Sequence, residues 1–325
     1  MAVPTRTENL DDLYTAVFNN RKAGVTDQIF ERVSLYRELK SRGGIKFDGT
    51  GGRFLEVNLS YAKNATVTSL GRGDTISIDD TKFLTVAQFE WKFVAGSIVR
   101  YFADDARNKS KEAHLNLANS KVDNLRNSMV DKLETMLNAD GTGNNSLDTE
   151  GLQNLIDTTP DTARTVGNIA QTTYTWWKNK QKTSTGAASV YLRSDLRNLS
   201  NTCSLGLNSS VPNLYYTSQT VHELVEDEVE DTRSVFNKSS GIELLADTPV
   251  ILGKPLIWSP QAPAGNIYVM NTEFLGLVVD PDLNFVATEW KFIPNQLDRV
   301  MQVVVKMNLV ATRRASLGVL TGNAA

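Results

Sequence analysis

The sequence is poor in cysteine and histidine, and both shortages exclude classes of protein. Cys203 is the only cysteine, so the chain cannot build a framework of internal disulfides. His114 and His222 are the only histidines, and we interpret each as a structural or solvated side chain on a predicted helix. The chain also lacks a Gly-x-Ser-x-Gly elbow, a His-Glu-x-x-His pair and a phosphate-binding loop. We therefore predict no catalytic residues, no metal site and no cofactor, which means that the protein is not an enzyme.

Long apolar runs and excess positive charge are also missing. No stretch of about 18 apolar residues could form a membrane-spanning helix. The start, MAVPTRTENLDDLY, lacks the basic and apolar segments of a signal peptide, so we expect the protein to stay in the cytosol. With a formal charge of −3, the chain lacks the excess of Lys and Arg that is typical of proteins that bind nucleic acid tightly. With 41% hydrophobic residues, the 325-residue chain is an ordinary globular protein with room for two cores.

The longest regular pattern runs from Lys109 to Asp140, a stretch without glycine or proline. Its apolar residues recur at steps of three or four and are Ala118, Val122, Leu125, Met129, Leu133 and Met136. Polar residues on the opposite side are Ser120, Asp123, Asn124, Asn127, Asp131 and Glu134. The pattern predicts one helix roughly 45 Å long. A coiled coil is not favoured, because the stripe is not a sustained heptad and β-patterned segments flank it.

Residues 1–44 form a predicted arm. A short amphipathic pattern occupies residues 1–25, and helical spacing returns from Thr26 to Arg42 before Gly43 and Gly44 stop it. An arm that buries little of its own surface needs a partner surface.

From Ile45 the hydrophobic period changes to two, as in strands. The alternation over residues 54–61, 76–78 and 88–93 predicts a long β-hairpin within residues 45–95. A two-stranded ribbon is marginally stable alone in water, so another part of the chain or a neighbouring chain must cover it. We predict that its exposed apolar face and its turn make assembly contacts. The candidate residues are Leu55, Val57, Leu59, Lys63, Arg72, Asp74, Ile76 and Ile78.

A mixed α/β region follows from residue 150 to about Pro294. A helical face is predicted at Leu192, Leu196, Leu199 and Cys203, and Ser218 can cap a further helix. Predicted strands are Leu214–Tyr216, Val250–Leu252, Ile267–Met270 and Leu275–Val279. The last segment alternates strictly from Met301 to Leu309, which predicts a strand of about a dozen residues that returns to the long helix. The first domain is then discontinuous.

Two motifs have competing interpretations. Arg72-Gly73-Asp74 matches an integrin-type adhesion loop, but these residues also suit the turn of the hairpin, which is the interpretation we favour. The acidic run from Glu223 to Asp231 could gather a hard cation. On a helix, however, its charges spread around the polar face, which favours a solvated face or a subunit contact.

The order of these parts resembles the major capsid proteins of tailed bacteriophages, the Hong Kong 97-type fold, over nearly the whole chain. Short segments also resemble that family in sequence, although each is weak by itself. They are Gly44–Leu59, Gln88–Phe93, Asn138–Gly143 before Gly151-Leu152, Trp176-Trp177, Pro212–Ser218 and Gly265–Asn271. The resemblance implies an α+β fold with an N-terminal arm, an extended β-hairpin loop, a long spine helix with a peripheral β-sheet, and an axial α/β domain.

The division implied by the resemblance has five parts. Residues 1–44 are the arm and short helix, 45–95 the extended hairpin and its base, and 96–149 the peripheral domain with the spine helix. Residues 150–294 are the axial domain, and 295–325 return to the peripheral domain.

The function implied by the resemblance is a structural one. The chain would assemble as hexamers and pentamers into an icosahedral shell around double-stranded DNA, which it contacts non-specifically. It would be assembled in the host cytoplasm and reside in the virion. No long cleavable scaffolding region precedes the arm, so we expect a separate scaffolding protein, together with a portal. Some members crosslink a hairpin lysine to an asparagine, but nothing here specifies a partner for Lys63.

Two other classes remain open at this point. A nanocompartment shell has the same type of fold and encloses protein cargo. A β-rich receptor-binding protein would instead form a small fixed oligomer. Electron microscopy of the purified protein separates these two classes.

Overall fold

A computed structural model describes residues 35–49, 51–102, 117–186, 188–206, 210–226 and 250–323. The chain divides into two compact units. The smaller unit contains the described residues of Val94–Leu133 and Asp282–Val305, and the larger unit those of Val33–Phe93, Glu134–Pro281 and Lys306–Ala325. The amphipathic pattern of residues 1–25, His114 and the acidic run after Glu226 lie outside the described residues.

The helices include two long ones. In chain order the right-handed helices are α1 (Leu35–Ser41), α2 (Leu117–Asn138), α3 (Leu152–Leu155), α4 (Ala188–Cys203) and α5 (residues 219–226). A further helical turn, Gly143–Ser146, has left-handed backbone angles at Asn144 and Asn145. Single 3-10 turns occur at Thr175–Trp177, Pro281–Leu283 and Arg314–Ser316. The described part of the predicted spine helix is thus helical up to Asn138. Among the described helices, none is both long and apolar enough to cross a membrane.

The strands are mostly short, with one long exception near the C-terminus. The first eight are β1 (Ile45–Phe47), β2 (Phe54–Ser60), β3 (Leu84–Glu90), β4 (Lys92–Arg100), β5 (Thr165–Val166), β6 (Ile169–Ala170), β7 (Lys180–Thr183) and β8 (Leu214–Thr217). The others are β9 (Val250–Ile251), β10 (Lys254–Trp258), β11 (Ile267–Met270), β12 (Leu275–Val279), β13 (Val286–Ala287), β14 (Lys291–Phe292), β15 (Arg299–Ala311) and β16 (Gly318–Thr321). The strands predicted at 214–216, 267–270 and 275–279 are confirmed, and so is the long C-terminal one. The strand predicted at 250–252 ends one residue earlier, at Ile251, because Leu252 lies in a turn with φ +54°.

The smaller unit is built on the first part of α2 and the first part of β15. Strands β13 and β14 both pair antiparallel with β15, and β4 pairs with it as well. Gly96 of β4 lies under Leu125 of α2, and a Cβ at Gly96 would overlap the Leu125 side chain. The absence of a side chain therefore allows close packing of strand and helix.

The larger unit contains a six-stranded sheet in the order β7-β16-β11-β8-β10-β9. Helix α4 covers one face of this sheet with Leu192, Leu196, Leu199 and Cys203, which are all buried as the periodicity predicted. These side chains pack in one cluster with sheet residues such as Ile267, Val269 and Leu320. Burial raises the pKa of the Cys203 thiol to about 12, so this cysteine acts as an apolar core residue.

A second group of paired strands in the larger unit corrects the expected extent of the hairpin. Strand β1 runs parallel to β12, with Ile45 opposite Leu277. Strand β12 in turn runs antiparallel to the last residues of β15, with Leu277 opposite Leu309. Residues 45–47 therefore belong to this sheet, and the two-stranded hairpin starts only at Phe54.

Glu134 also differs from its predicted position on the polar side of the long helix. It is 1% exposed, and its carboxylate accepts hydrogen bonds from the backbone N–H groups of Leu35 (2.9 Å) and Tyr36 (3.1 Å). These groups lie at the start of α1, where a helix has no acceptors of its own. The carboxylate thus caps α1, which explains why a charged residue is buried at this position.

We expect a Leu125→Pro variant to lose about 3 kcal/mol or more of unfolding free energy, because proline removes a hydrogen bond in the interior of α2 and clashes with the preceding turn. A thermal unfolding experiment measures the effect. Leu125→Met, which conserves volume, is the matched control and should cost less than about 1.5 kcal/mol. An unchanged melting temperature for the proline variant would contradict the helix assignment.

Candidate assembly surface

The hairpin of β2 and β3 is an antiparallel ribbon of seven residue pairs, from Phe54 opposite Glu90 to Ser60 opposite Leu84. One more backbone hydrogen bond, from Tyr61 N–H to Phe83 O at 3.0 Å, closes the ribbon. Residues 61–83 beyond this point contain no strand, although the alternation at Ile76 and Ile78 predicted one. We call residues 61–83 the loop tip, and the paired strands the root.

One face of the root is buried in its own subunit, which corrects the expectation of a continuous exposed apolar strip. Leu55 is 5% exposed, Leu59 7% and Phe89 2%. Phe89 and Ala87 cover Gly167 in the β5–β6 turn, where an added Cβ would press on both side chains. The Gln88 N–H also donates to Gly167 O at 3.0 Å. Leu55 and Leu59 therefore belong to the intramolecular core, while Val57 is half-buried.

A stack of aromatic rings holds the point at which the root becomes the loop tip. The rings of Tyr61 and Trp176 are stacked with centroids 5.4 Å apart and an interplanar angle of 17°. Trp176 in turn makes edge contacts with Tyr174 and with the buried Trp177. Offset stacking of this kind adds about 0.5–1.5 kcal/mol beyond the area that it buries. The stacked rings therefore fix the position at which the chain passes from the root to the loop tip.

The segments under the root are tied together by Arg314, which is fully buried. Its Nε donates to Leu155 O at 2.8 Å, and Nη1 donates to Gln171 Oε1 at 3.1 Å and to Trp177 O at 3.3 Å. Trp177 Nε1 donates to Val166 O at 2.9 Å, in the strand that precedes Gly167. A continuous set of hydrogen bonds therefore links the guanidinium group to the turn on which the root rests.

The electrostatics of this cluster are dominated by burial. Desolvation lowers the pKa of Arg314 to about 10, and the nearby Asp157 carboxylate opposes that decrease. Burial also tends to raise the pKa of Asp157, but hydrogen bonds from the Thr159 N–H and from Gln171, together with the charge of Arg164, lower it overall. Gln171 Nε2 lies 3.2 Å from Asp157 Oδ2 and so bridges the acid and Arg314. We assign the cluster a structural role, because its polar groups form hydrogen bonds with one another.

The loop tip is exposed over most of its length. Val67 is 81% exposed, Ile76 65% and Ile78 97%. Lys63, Arg72 and Asp74 are exposed as well. Apolar side chains at this degree of exposure are typical of surfaces that bind another protein. The structure thus brings Ile76, Ile78 and the charged candidates together on the loop tip and separates them from Leu55 and Leu59.

The Arg72-Gly73-Asp74 sequence forms a turn, as we predicted. The Asp74 N–H donates to Gly71 O at 3.3 Å, and the Asp74 carboxylate accepts from the Gly71 N–H. Gly73 has φ +93°, a conformation that favours glycine. Asp74 therefore stabilises the turn through hydrogen bonds of both its backbone N–H and its carboxylate.

Among the residues that the structure describes, no group of three or more His, Cys, Asp or Glu side chains could hold a metal ion. His222 is buried, and its Nδ1 lies 3.6 Å from Glu226 Oε1. Burial lowers the pKa of His222, while the charge of Glu226 opposes that change. We assign it a structural role in α5.

Comparison with known proteins gives matches in structure only. No family model matches the chain, and none of the curated proteins matches it. The cyanophage A-1(L) capsid asymmetric unit contains a chain that matches with a TM-score of 0.66 and 14% identity, over 94% of this chain and 97% of that one. A capsid chain of the empty GTA particle matches with a TM-score of 0.60 and 10% identity, over 99% and 100%.

A third solved structure that matches the chain is an encapsulin complex. The holo-SrpI encapsulin complex from Synechococcus elongatus PCC 7942 matches with a TM-score of 0.58 and 12% identity, over 100% of this chain and 99% of that one. Since phage capsid and encapsulin chains both match end to end, the comparisons establish the fold. The chain has the fold of tailed-phage major capsid proteins, the Hong Kong 97-type fold, and the predicted α+β class is confirmed.

We expect an Arg314→Met variant to lose about 3–5 kcal/mol of unfolding free energy, because it leaves the buried acceptors Leu155 O, Gln171 Oε1 and Trp177 O without their charged donor. Urea unfolding measures the loss. Arg313→Met is the matched control, since Arg313 is only half-buried and lies 6.0 Å from the Phe274 ring. Equal losses for the two variants would refute the special role of Arg314.

Proposed function

We propose that this chain is the major capsid protein of a tailed bacteriophage. In this proposal it assembles as hexamers and pentamers into an icosahedral shell that encloses double-stranded DNA. The observation that carries the proposal is the end-to-end match to capsid chains, which extends over 94–99% of this chain for the cyanophage and GTA particles. The role is structural and not enzymatic, because the matched chains are capsid components.

The exposed loop tip supports the same proposal. A subunit that projects Ile76 and Ile78 into solvent leaves apolar surface uncovered, and a neighbouring subunit is the partner that a shell supplies at every position. We propose that Lys63, Arg72, Asp74, Ile76 and Ile78, with the half-buried Val57, make these contacts. Leu55 and Leu59 would act indirectly by holding the root.

Other partners follow from the proposed function. Assembly would use a separate scaffolding protein and a portal, and the mature chain would reside in the virion after assembly in the host cytoplasm. The five-part domain division given by the resemblance is part of this proposal, with residues 150–294 as the axial domain and with the hairpin of the second part starting at Phe54 instead of Ile45.

A nanocompartment shell is the second candidate function. The specific observation in its favour is the encapsulin chain that matches 100% of this chain. The two candidates share assembly and differ in cargo, because one encloses DNA and the other encloses protein.

Electron microscopy of particles purified from an expressing phage or host tests the proposal. We expect closed shells whose nuclease-protected content is double-stranded DNA. Shells filled with a single protein cargo would favour the nanocompartment, and a small fixed oligomer without shells would contradict both.

We expect replacement of Lys63–Asp74 by a short Gly-Ser linker to abolish closed shells while the subunit stays folded. The reason is that this part of the loop tip is exposed and contributes no strand pairing to its own subunit. Circular dichroism and electron microscopy measure the two outcomes. The control is Leu205→Ser, which also removes an exposed apolar side chain, 46% exposed, but outside the hairpin. Full shells from the linker variant, or its global unfolding, would overturn this assignment of the loop tip.

A further inference from the structure

The charge of helix α4 differs from that of the segments around it. Residues 157–226 contain six basic and five acidic side chains, so this part of the chain is nearly balanced. The basic ones are Arg164, Lys178, Lys180, Lys182, Arg193 and Arg197, and the acidic ones are Asp157, Asp161, Asp195, Glu223 and Glu226. Positive charges that stay uncompensated at the surface are the ones that can attract an anionic partner.

Several of these charges are used inside the larger unit. Arg164 lies 3.5 Å from Asp157 Oδ1, and Lys178 lies 2.8 Å from Asp161 Oδ1. Asp195 is 3% exposed, and its carboxylate accepts from the N–H and hydroxyl groups of Thr185, at 2.8 Å each. Lys182 completes the cluster at 3.2 Å. The only acid of α4 is therefore withdrawn from the surface.

The outer face of α4 presents positive charge without compensation. Arg193 and Arg197 are one helical turn apart and exposed, and neither makes an ion pair or side-chain hydrogen bond within the described part of the chain. The other exposed polar residues of this face are Ser194, Asn198, Asn201 and Thr202. Helix α2 differs, because it exposes Asp123 together with Arg126 and Lys132. We call the exposed residues of α4 from Arg193 to Thr202 the basic face.

We propose that the basic face of α4 binds the phosphate backbone of double-stranded DNA without reading its sequence. The proposal rests on the function proposed above and names the surface of the subunit that meets the packaged DNA. The planar guanidinium group of arginine can donate two parallel hydrogen bonds to phosphate oxygens, and side-chain amides such as those of Asn198 and Asn201 are further donors. The hydroxyls of Ser194 and Thr202 donate to Tyr191 O and Asn198 O within the helix. The basic face spans about 14 Å along the helix, the rise of about four base pairs.

The chemistry of the face favours DNA over an acidic protein. Protein interfaces have an apolar core with a polar rim. Between Arg193 and Thr202 every exposed side chain is polar or basic, and the nearest large exposed ring is that of Tyr191 at the edge. A surface that lacks an apolar core while carrying uncompensated arginines suits a partner that is uniformly charged along its length.

The test compares Arg193→Gln/Arg197→Gln with the wild type in binding to a fluorescent 30-bp duplex of mixed sequence. Anisotropy titrations at 50–200 mM salt give the slope of log K against log[salt]. Loss of two phosphate contacts should reduce the magnitude of that slope by about 1.8, so that the change in affinity over this salt range becomes about tenfold smaller. Thermal unfolding of the variant should match the wild type, because both side chains are exposed.

The control is Lys40→Gln/Lys291→Gln, which removes the same formal charge from exposed positions elsewhere. Its salt slope should equal that of the wild type. An equal decrease in the control, an unchanged slope in the arginine variant, or a wild type that binds no duplex would overturn the inference. So would binding of polyglutamate with the same dependence on Arg193 and Arg197, since that result would assign the face to an acidic protein.

Shell formation is scored separately by electron microscopy. Normal shells from the arginine variant, combined with the reduced salt slope, would support the inference. Normal shells with unchanged DNA affinity would overturn the inference and leave the proposed function standing. Absence of shells from the wild type would contradict the proposed function itself.

Discussion

Burial of the Arg314 guanidinium is the constraint on which the larger unit depends. A charged group without access to water must find acceptors in the protein, and Arg314 finds them on Leu155, Gln171 and Trp177. These residues belong to segments that are far from Arg314 in sequence, so one side chain fixes their mutual positions. Loss of hydration lowers the pKa of Arg314, which means that burial disfavours the charged form of the guanidinium group. Replacing such a cluster by apolar residues can be neutral, whereas removing one partner is costly.

The consequence of this constraint is a hairpin with two different halves. The root rests on Gly167 through Phe89, Ala87 and a backbone hydrogen bond, and Gly167 belongs to the turn that Trp177 and Arg314 secure. The loop tip beyond Tyr61 is exposed and has no strand partner in the described chain. A fixed root with a free tip gives a subunit a defined direction of projection and leaves the tip free to fit neighbours in non-identical surroundings. The proposed shell needs both properties, because hexamers and pentamers would use one sequence.

Local patterns in the sequence predict much of this structure, and long-range polar contacts account for most of what they miss. The three-or-four spacing of Leu192, Leu196 and Leu199 identifies α4, and the alternation after Met301 identifies β15, since each pattern reports one buried face. The cap on α1 joins residues 99 positions apart, and no local signal marks Glu134 as its acceptor. Arg314 follows another arginine in a polar segment, where exposure is the ordinary expectation. The alternation at Ile76 and Ile78 gives no strand, because alternation without a pairing partner does not form a ladder.

Hydrogen exchange of the unassembled subunit and of assembled shells tests the division into root and loop tip most directly. We expect slow exchange of the hydrogen-bonded backbone amides of β2 and β3 in both states. Amides of residues 61–83 should exchange fast in the subunit and become protected in shells. Slow exchange of the loop-tip amides in both states would show that the contacts of the tip lie within the subunit. Fast exchange of these amides in both states would show that shell formation does not cover the tip. Exchange of the root as fast as that of the tip would contradict the claim that the Arg314 cluster holds it.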